Sequence, residues 1–369
     1  MLVYLHVPFC ARRCSYCDFA IAVRRETPSA GFVEAFEREW RQRLLHPAWA
    51  DSTTVRTIYL GGGTPSRLDP GALDELIGIM TSDRNLVEGA EVTLEANPDD
   101  VTPTKVTAWS RAGVNRVSLG VQSFSPNVLK WMHRTHQADQ VAPAVEAIRA
   151  AGIENVSIDL IYGLPAALSR RWEDDLDQAF ALAPEHLSLY ALTLEAHTPL
   201  AHWVDRGTSA APPDDQAADD FLTASARLRA EGFEHYEVSN AARPGRRAVH
   251  NSGYWRRDTF LGMGPSAHSA WGRYRSWNVR EWEAWRRAVL AGQDPEQGRE
   301  VLDDRQALLE SRYLGLRTCH GVPEAMVPAP HRAQWQAQGW AETAGGRVRL
   351  LPEGWLRLDS LVASLPDDS

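Results

Sequence analysis

The 369-residue sequence is short of long apolar runs, of positive charge and of lysine. The first two shortages each disfavour a class of protein. It has no apolar run long enough to cross a bilayer, so an integral membrane segment is not expected. It has no excess of positive charge, because its formal net charge is −9, so a nucleic-acid backbone is not an expected partner. It has only two lysines, Lys105 and Lys130, which we interpret as nucleotide-composition bias of the source genome.

Cysteine is also scarce, with four in the whole chain. Together with the lack of a recognisable secretion signal after Met1, this argues against a disulfide framework and favours a reducing compartment, which we expect to be the cytoplasm. Three of the four cysteines nevertheless lie within eight residues, as Cys10, Cys14 and Cys17, with the spacing C-x3-C-x2-C. The fourth, Cys319, is interpreted as an ordinary thiol.

Three thiolates this close together can surround one small inorganic centre. Thiolates are the usual ligands of iron–sulfur clusters, and a four-iron cluster held by three of them leaves one iron open to another ligand. A zinc ion completed by His6 or Asp18 is the alternative, although zinc-binding cysteines usually occur as separated pairs. The spacing alone favours the iron–sulfur site and leaves the zinc site open.

The first half of the sequence alternates short β-branched runs with helical stretches, a pattern that predicts a parallel sheet. The predicted strands are Leu2–Val7, Thr57–Leu60, Glu91–Ala96, Arg116–Gly120, Val156–Ile161 and His186–Leu192. Six such units are too few for a closed eight-stranded barrel. We therefore expect an α/β fold, a partial (β/α)6 TIM-like barrel with an open side.

Composition divides the chain into three predicted regions. Residues 1–210 form the partial barrel, and residues 211–292 form an extension that carries the motif HNSGYW. Residues 293–369 show a helix, a second helix and a hairpin, which is a winged-helix-like pattern. Because this last region carries Asp and Glu freely, we expect it to pack or act as a lid, with no role in binding DNA.

Polar residues and glycines follow the predicted strand ends. The segment GGGTPS, Gly61–Ser66, follows the second strand, and its backbone amides could cradle an anion. Glu95, Gln122, Arg134 and Asp159 lie near the ends of later strands or follow them, and would form a polar ring at the carboxyl edge of the sheet. Each of them alone also fits a tight turn or a solvated surface charge.

Several segments together resemble the radical S-adenosylmethionine (SAM) superfamily, in particular the branch that contains coproporphyrinogen oxidases and, within it, heme chaperones. These segments are YLHVPFCARRCSYCDF, GGGTPS, LEANP, GVNRVSLGVQSF and IDLIYGLP. The resemblance implies that Cys10, Cys14 and Cys17 bind a [4Fe-4S] cluster whose open iron is chelated by SAM. It also implies a SAM pocket made of Tyr4, Tyr16, Gly62, Gly63, Thr64, Glu95, Gln122, Arg134 and Asp159.

Two features favour the chaperones within this branch. The oxidases carry a fourth cysteine two residues after the third, where this sequence has Phe19. HNSGYW, His250–Trp255, is similar to a motif of the chaperones, which implies that His250 ligates heme iron while Tyr254 and Trp255 stack on the porphyrin. A satisfied core histidine is the other interpretation of His250, and His268 is a weaker candidate ligand.

The expected function is therefore that of a cytoplasmic heme chaperone that holds a [4Fe-4S] cluster and SAM, binds heme and delivers it to acceptor proteins. Catalysis need not be its task, and the cluster could serve a cluster-dependent dimer. An oxygen-independent coproporphyrinogen III oxidase, which acts through a 5′-deoxyadenosyl radical, remains the first alternative. Another radical SAM enzyme is the second.

Overall fold

The computed structural model describes residues 1–50 and 52–366. Asp51 and the last three residues of the predicted C-terminal region lie outside the described residues.

The strands alternate with helices through the first half of the chain and become more frequent in the second half. In chain order they are β1 (Leu2–Val7), β2 (Phe9–Cys10), β3 (Ala22–Val23), β4 (Thr54–Gly62), β5 (Asn85–Ala96), β6 (Arg116–Gln122), β7 (Asn155–Tyr162), β8 (His186–Ala191), β9 (Glu234–Glu237), β10 (Asn240–Ala242), β11 (Phe260–Met263), β12 (His268–Trp271), β13 (Tyr274–Asn278), β14 (Glu296–Val301), β15 (Val322–Pro323), β16 (Ala341–Ala344) and β17 (Arg347–Leu350).

Most of the helices are short, and several begin with proline in the first turn, where its missing N–H costs nothing. In chain order they are α1 (Ser29–Leu44), α2 (Pro47–Ala50), α3 (Pro70–Ser82), α4 (Pro103–Arg111), α5 (Pro126–Trp131), α6 (Val141–Ala150), α7 (Trp172–Ala181), α8 (Pro199–Asp205), α9 (Asp214–Ala230), α10 (Val249–Trp255), α11 (Trp282–Leu290), α12 (Asp304–Leu316), α13 (Ala329–Ala337), α14 (Pro352–Trp355) and α15 (Leu358–Ala363). Short 3-10 turns occupy Pro65–Arg67, Pro98–Asp100, Ala138–Gln140, Ala166–Leu168 and Glu324–Met326.

One sheet organises most of the described chain. Its strand order is β14-β13-β12-β11-β1-β4-β5-β6-β7-β8-β10-β9. The strands from β11 to β8 are parallel, whereas β12, β13 and β14 continue one side as an antiparallel meander and β10 and β9 continue the other. The six predicted strands are all present and are neighbours in chain order, so the expected α/β partial barrel is confirmed.

The parallel strands β1 and β7 lie in the interior of the fold. Both are almost continuously buried, as expected for strands covered on both faces. On the α1 side, Phe32, Trp40 and Trp285 are fully buried in the large hydrophobic core. This packing fixes the strand ends, and with them the loops that carry the polar residues.

The extension predicted at 211–292 lies partly within this sheet, because its strand β11 pairs in parallel with β1. The last region contains α12, α13 and a small sheet in which β17 lies between β15 and β16. The boundaries between the three predicted regions, and the winged-helix class of the last one, stay predictions.

Candidate functional site

The cysteine loop and the polar residues predicted to face it meet at one edge of the sheet. β1 leads into β2, which ends at Cys10, while β4 ends at Gly62 and β6 ends at Gln122. Because β1, β4, β5 and β6 are successive parallel neighbours, their carboxyl ends lie along the same edge. The fold therefore brings together residues that are far apart in sequence.

The three clustered cysteines are half-buried free thiols, with Cys10 at the end of β2 and Cys14 and Cys17 in the loop that joins β2 to β3. These two short strands pair in parallel and hold the two ends of the loop together. Burial raises the pKa of Cys10 and raises the pKa of Cys17 to about 11, and the nearby Cys14 thiol adds to both shifts.

Two donors from other parts of the edge point at these sulfurs. Thr64 Oγ1 donates to Cys10 Sγ at 3.4 Å, and Arg134 Nη1 donates to Cys14 Sγ at 3.6 Å. Hydrogen bonds to ligating sulfurs tune the potential of an iron–sulfur cluster, so the donor set fits a cluster bound by three thiolates. Within residues 1–50 and 52–366, no three His, Cys, Asp or Glu side chains are arranged as ligands of one metal ion. The ligand role of the cysteines therefore stays a prediction.

The glycine-rich turn after β4 lies where side chains would not fit. A Cβ on Gly63 would lie 2.7 Å from the carbonyl carbon of Pro8 and 2.9 Å from the carbonyl oxygen of Phe9. A Cβ on Gly62, whose φ is +108°, would lie 2.6 Å from the His6 ring. The turn is thus packed against His6 of β1 and against Pro8 and Phe9, which lead to Cys10, so only glycine fits here. Its role in holding a ligand stays a prediction.

Glu95 lies across from this turn. Its carboxylate accepts from Tyr59 Oη at 2.8 Å and from the Gly62 amide at 3.0 Å. Burial raises the pKa of Glu95 to about 7. Each carboxylate oxygen has room for one more hydrogen bond, so Glu95 could still accept from a ligand hydroxyl.

Arg134 lies at the centre of the polar ring. Its Nη2 donates to Asn97 Oδ1 and to the Gly120 carbonyl, both at 2.6 Å. A Cβ on Gly120 would lie 3.1 Å from Gln122 Nε2 and 3.3 Å from Arg134 Nη2, so Gln122 belongs to the same group. Gln122 itself has φ +69°, which is strained for a residue with a side chain. Asn97 belongs to the EANP segment, and no role was predicted for it.

Asp159 lies further back along the same face. Ser118 Oγ lies 3.0 Å from both of its carboxylate oxygens, and Ser157 Oγ donates to one of them at 3.3 Å. Burial raises the pKa of Asp159 to about 6. Neither serine was predicted, because a serine within a β-strand gives no signal that separates a buried donor from an ordinary strand residue.

The two predicted tyrosines occupy different surroundings. Tyr4 lies on β1, with its hydroxyl 3.1 Å from His6 Nδ1 and its ring 6.0 Å from that of Tyr59. Tyr16 lies in the cysteine loop and packs against a second hydrophobic cluster that includes Val128 and Leu200. Their predicted place beside a cluster stays a prediction.

A cavity of about 600 Å³ opens beside this edge. Its lining includes Tyr4, Gly62 and Glu95 from the predicted SAM pocket, and Tyr254 and Trp255 from HNSGYW. The remaining lining residues are His6, Asp18, Phe19, Ala20, Arg257, Phe260, Ser266, His268, Ala270, Arg275, Arg280, Glu310 and Leu314. A volume of this size suits a cofactor-sized ligand.

His250 does not line this cavity. Its side chain is 1% exposed, with Nδ1 2.7 Å from Thr57 Oγ1 and Nε2 2.7 Å from Tyr254 Oη. Burial lowers its pKa to about 3, so it is neutral at physiological pH. A heme iron could bind His250 only after one of these two hydrogen bonds had broken. Its predicted role as a ligand is untested.

The described part of the chain contains no helix that is both long and apolar enough to span a membrane.

Comparison with known proteins gives consistent results. Residues 4–179 match the family model described as the Radical SAM superfamily. The sequence is 38% identical to the heme chaperone HemW of Mycobacterium tuberculosis, across 98% of this chain and 94% of that protein. It is 36% identical to the heme chaperone HemW of a Synechocystis species, across 90% of this chain and 81% of that protein.

Among solved structures, the coproporphyrinogen III oxidase HemN of Escherichia coli aligns with a TM-score of 0.81 and 21% sequence identity, across 98% of this chain and 89% of that chain. At this identity the likeness shows a shared fold.

Proposed function

We propose, since the chain belongs to the radical SAM superfamily and within it to the HemW family, that it is a heme chaperone. In this role it holds a [4Fe-4S] cluster and SAM at the carboxyl edge of the sheet, binds heme in the adjoining cavity and passes the heme to acceptor proteins. The observation that carries the proposal is that one cavity touches both the predicted SAM pocket and the aromatic side chains of HNSGYW.

The side chains at the carboxyl edge of the sheet match the chemical groups of the [4Fe-4S] cluster and of SAM. Cys10, Cys14 and Cys17 would hold the cluster, which when bound supplies an open iron for SAM and an electron at low potential. Arg134 presents a guanidinium group to a carboxylate, since its planar fork matches that shape. Glu95 would accept hydrogen bonds from ribose hydroxyls.

The other residues of the predicted SAM pocket would contact the remaining groups of SAM or enclose the cluster. The Gly62 and Gly63 amides already donate to Glu95 and to the Val7 carbonyl, so the glycines would approach the amino-acid end of SAM through the rest of their backbone, together with Thr64. Gln122 and Asp159 add polar groups toward the nucleoside, and Tyr4 and Tyr16 enclose the cluster. These assignments are supported by where the side chains lie and by the resemblance of the motifs.

Heme suits the cavity because it is large, flat and mostly apolar but carries two carboxylates. Tyr254, Trp255 and Phe260 supply aromatic surface, and Arg257, Arg275 and Arg280 supply positive charge. Aromatic rings favour stacking on a planar ligand, and guanidinium groups favour carboxylates.

The test is to incubate the anaerobically reconstituted protein separately with heme and with coproporphyrinogen III, in the presence of SAM and a reductant. We expect a stable heme complex with a shifted Soret band, transfer of the heme to an apo-acceptor, and no decarboxylated product. Formation of protoporphyrinogen would overturn the proposal in favour of the oxidase.

The cell compartment and the assembly state belong to the same proposal. A cluster exposed to air would be oxidised, so a reducing compartment such as the cytoplasm suits the protein. We also propose that any dimer depends on the cluster, which mass measurements on the apo and reconstituted protein can test.

A further inference from the structure

One wall of the cavity is not used by the predicted SAM pocket. It is formed by Phe260 of β11 and by His268 and Ala270 of β12, with Phe260 paired to Ala270 across the two strands. His268 and Ala270 are two residues apart, so their side chains lie on the same face of the strand, while Ser269 between them is buried against Gly262. His268 is therefore presented to the cavity by a strand and not by a loop.

The backbone holds β12 in this position tightly. A Cβ on Gly262 would lie 2.0 Å from the carbonyl oxygen of His268, so only glycine permits this approach of β11 to β12. The ring of His268 also stacks on Trp277 of β13, with the ring centroids 5.9 Å apart. Both features restrict where the imidazole can point.

Three histidines lie in or beside the cavity, and their hydrogen bonds distinguish them. His250 has both ring nitrogens engaged, by Thr57 and Tyr254. His6 is engaged by the Tyr4 hydroxyl and by the Ala20 carbonyl. In contrast, no hydrogen bond to either ring nitrogen of His268 is found in the described part of the chain. Only this imidazole can bind a metal without first losing a protein partner.

Beside this wall, arginines of the cavity lining carry charge that suits carboxylates, and Arg275 of β13 is the cross-strand neighbour of Ala270. Arg275 Nη2 lies 2.8 and 2.7 Å from the two oxygens of Glu310, and Arg257 Nε lies 2.5 Å from Glu310 Oε2. Two guanidinium groups thus face one carboxylate, and Arg280, which is exposed and donates to the Asp18 carbonyl, adds a third guanidinium group. Because Asp18 and Glu95 also line the cavity, the arginines supply local donors for a carboxylate and no net positive charge.

We propose that His268 is the axial ligand of the heme iron, that Tyr254 and Trp255 of HNSGYW form the aromatic wall, and that Arg257, Arg275 and Arg280 receive the propionates. His250 then acts as a positioning residue, because its hydrogen bond fixes the hydroxyl of Tyr254. This inference rests on the proposed function, and it assigns the iron ligand to a residue outside HNSGYW.

The experiment is a hemin titration of the reconstituted full-length protein, followed by absorption difference and resonance Raman spectroscopy. His268→Ala should weaken binding by at least about tenfold and remove the histidine–iron signature. Added imidazole should restore that signature, because it can occupy the space left by the side chain. His250→Ala should retain the signature even where its affinity falls.

Matched controls separate the possible outcomes. His202→Ala removes an exposed histidine on α8, outside the cavity lining, and should behave as wild type. If His268→Ala does not fold, His268→Met should bind heme with a thioether signature. Equal affinity and an unchanged signature in the His268 variants would overturn the inference and leave the proposed function standing. If the wild type binds no heme, the proposed function itself fails.

Discussion

At the scale of single residues, the cysteine spacing is the most specific signal in the sequence. The structure adds two details that the spacing could not give, namely the hydrogen bonds from Thr64 to Cys10 and from Arg134 to Cys14. Both donors come from distant segments, so they are visible only after folding. They give each of these two sulfurs a polar neighbour that favours the thiolate.

Replacing Cys14 tests the ligand assignment. We expect Cys14→Ser to abolish the brown chromophore formed on anaerobic loading with iron and sulfide, because two thiolates cannot hold three corners of a cluster. Iron and sulfide analysis of the loaded protein is the measurement. Cys319→Ser is the matched control and should load normally, and an iron content in Cys14→Ser equal to that of the control would remove Cys14 from the ligand set.

A second residue-scale prediction concerns the glycine turn. Gly63→Ala places a Cβ within 3 Å of the backbone of Pro8 and Phe9, which cannot move without shifting the cysteine loop. We expect at least about tenfold weaker SAM binding by the reconstituted protein, measured by equilibrium dialysis, since small displacements in a preorganised site are costly. Gly71→Ala, with nothing within 4 Å of the new Cβ, should bind SAM as the wild type does. Equal binding in both variants would show that the turn tolerates the extra methyl group.

At the scale of elements, α1 is joined to the β11–β12 region through one buried carboxylate. Glu39 accepts from the Gly264 amide at 2.8 Å, from Asn278 Nδ2 at 2.5 Å and from Trp285 Nε1 at 3.2 Å. It is fully buried, and burial raises its pKa to about 7. Because its three donors come from three different segments, Glu39 links helix α1 to the strands that form the cavity wall with His268.

The pH dependence of stability follows from this raised pKa. Between the ordinary value of 4.5 and about 7, the folded protein binds more protons at Glu39 than the unfolded chain does. The contribution of Glu39 to stability therefore falls as pH rises through this window, and it is constant above it. In Glu39→Gln the titration is absent, so the stability of the variant relative to wild type should increase with pH.

Denaturant titrations of both proteins at several pH values measure this difference. The slope should not exceed about 1.4 kcal/mol per pH unit, the limit for one proton. Parallel pH profiles for the two proteins, or a slope of opposite sign, would contradict the assignment.

The positions of the strands also show which parts of the fold could be predicted from the sequence. The six parallel strands were predictable because short apolar runs, most of them rich in β-branched residues, alternate with helical patterns along this part of the sequence. The insertion of β11 beside β1 was not predictable, because the strand FLGM has only four residues and its partner lies more than 250 residues away. The cavity was missed for the same reason, since its walls come from the cysteine loop, β1, β11, β12 and α12.

At the scale of the whole molecule, the C-terminal region is joined to the rest through a buried ion pair. Arg317 Nε lies 2.8 Å from Glu237 Oε2, and the carboxylate side chain is fully buried. The same guanidinium group lies 4.4 Å from the ring centroid of Trp255, in the HNSGYW motif. The C-terminal region therefore contacts the aromatic wall of the cavity directly.

Removing the Arg317 guanidinium group should lower the stability of the folded protein. Arg317→Met leaves the Glu237 carboxylate buried without its partner, and we expect a loss of about 2–4 kcal/mol in the free energy of unfolding. Arg41→Met breaks the exposed pair with Glu37 and should cost less than about 1 kcal/mol. Adding Glu237→Gln to Arg317→Met should recover part of the loss. Equal costs for the two arginine variants would show that the buried pair does not stabilise the fold.

The central claim is that the three cysteines hold a four-iron cluster with one iron open to SAM. The most direct measurement is electron paramagnetic resonance of the anaerobically reconstituted and reduced protein, recorded with and without SAM. We expect the signal of a reduced [4Fe-4S] cluster, with g values that change when SAM is added. A protein that loads only zinc, or a cluster signal that SAM leaves unchanged, would contradict the claim.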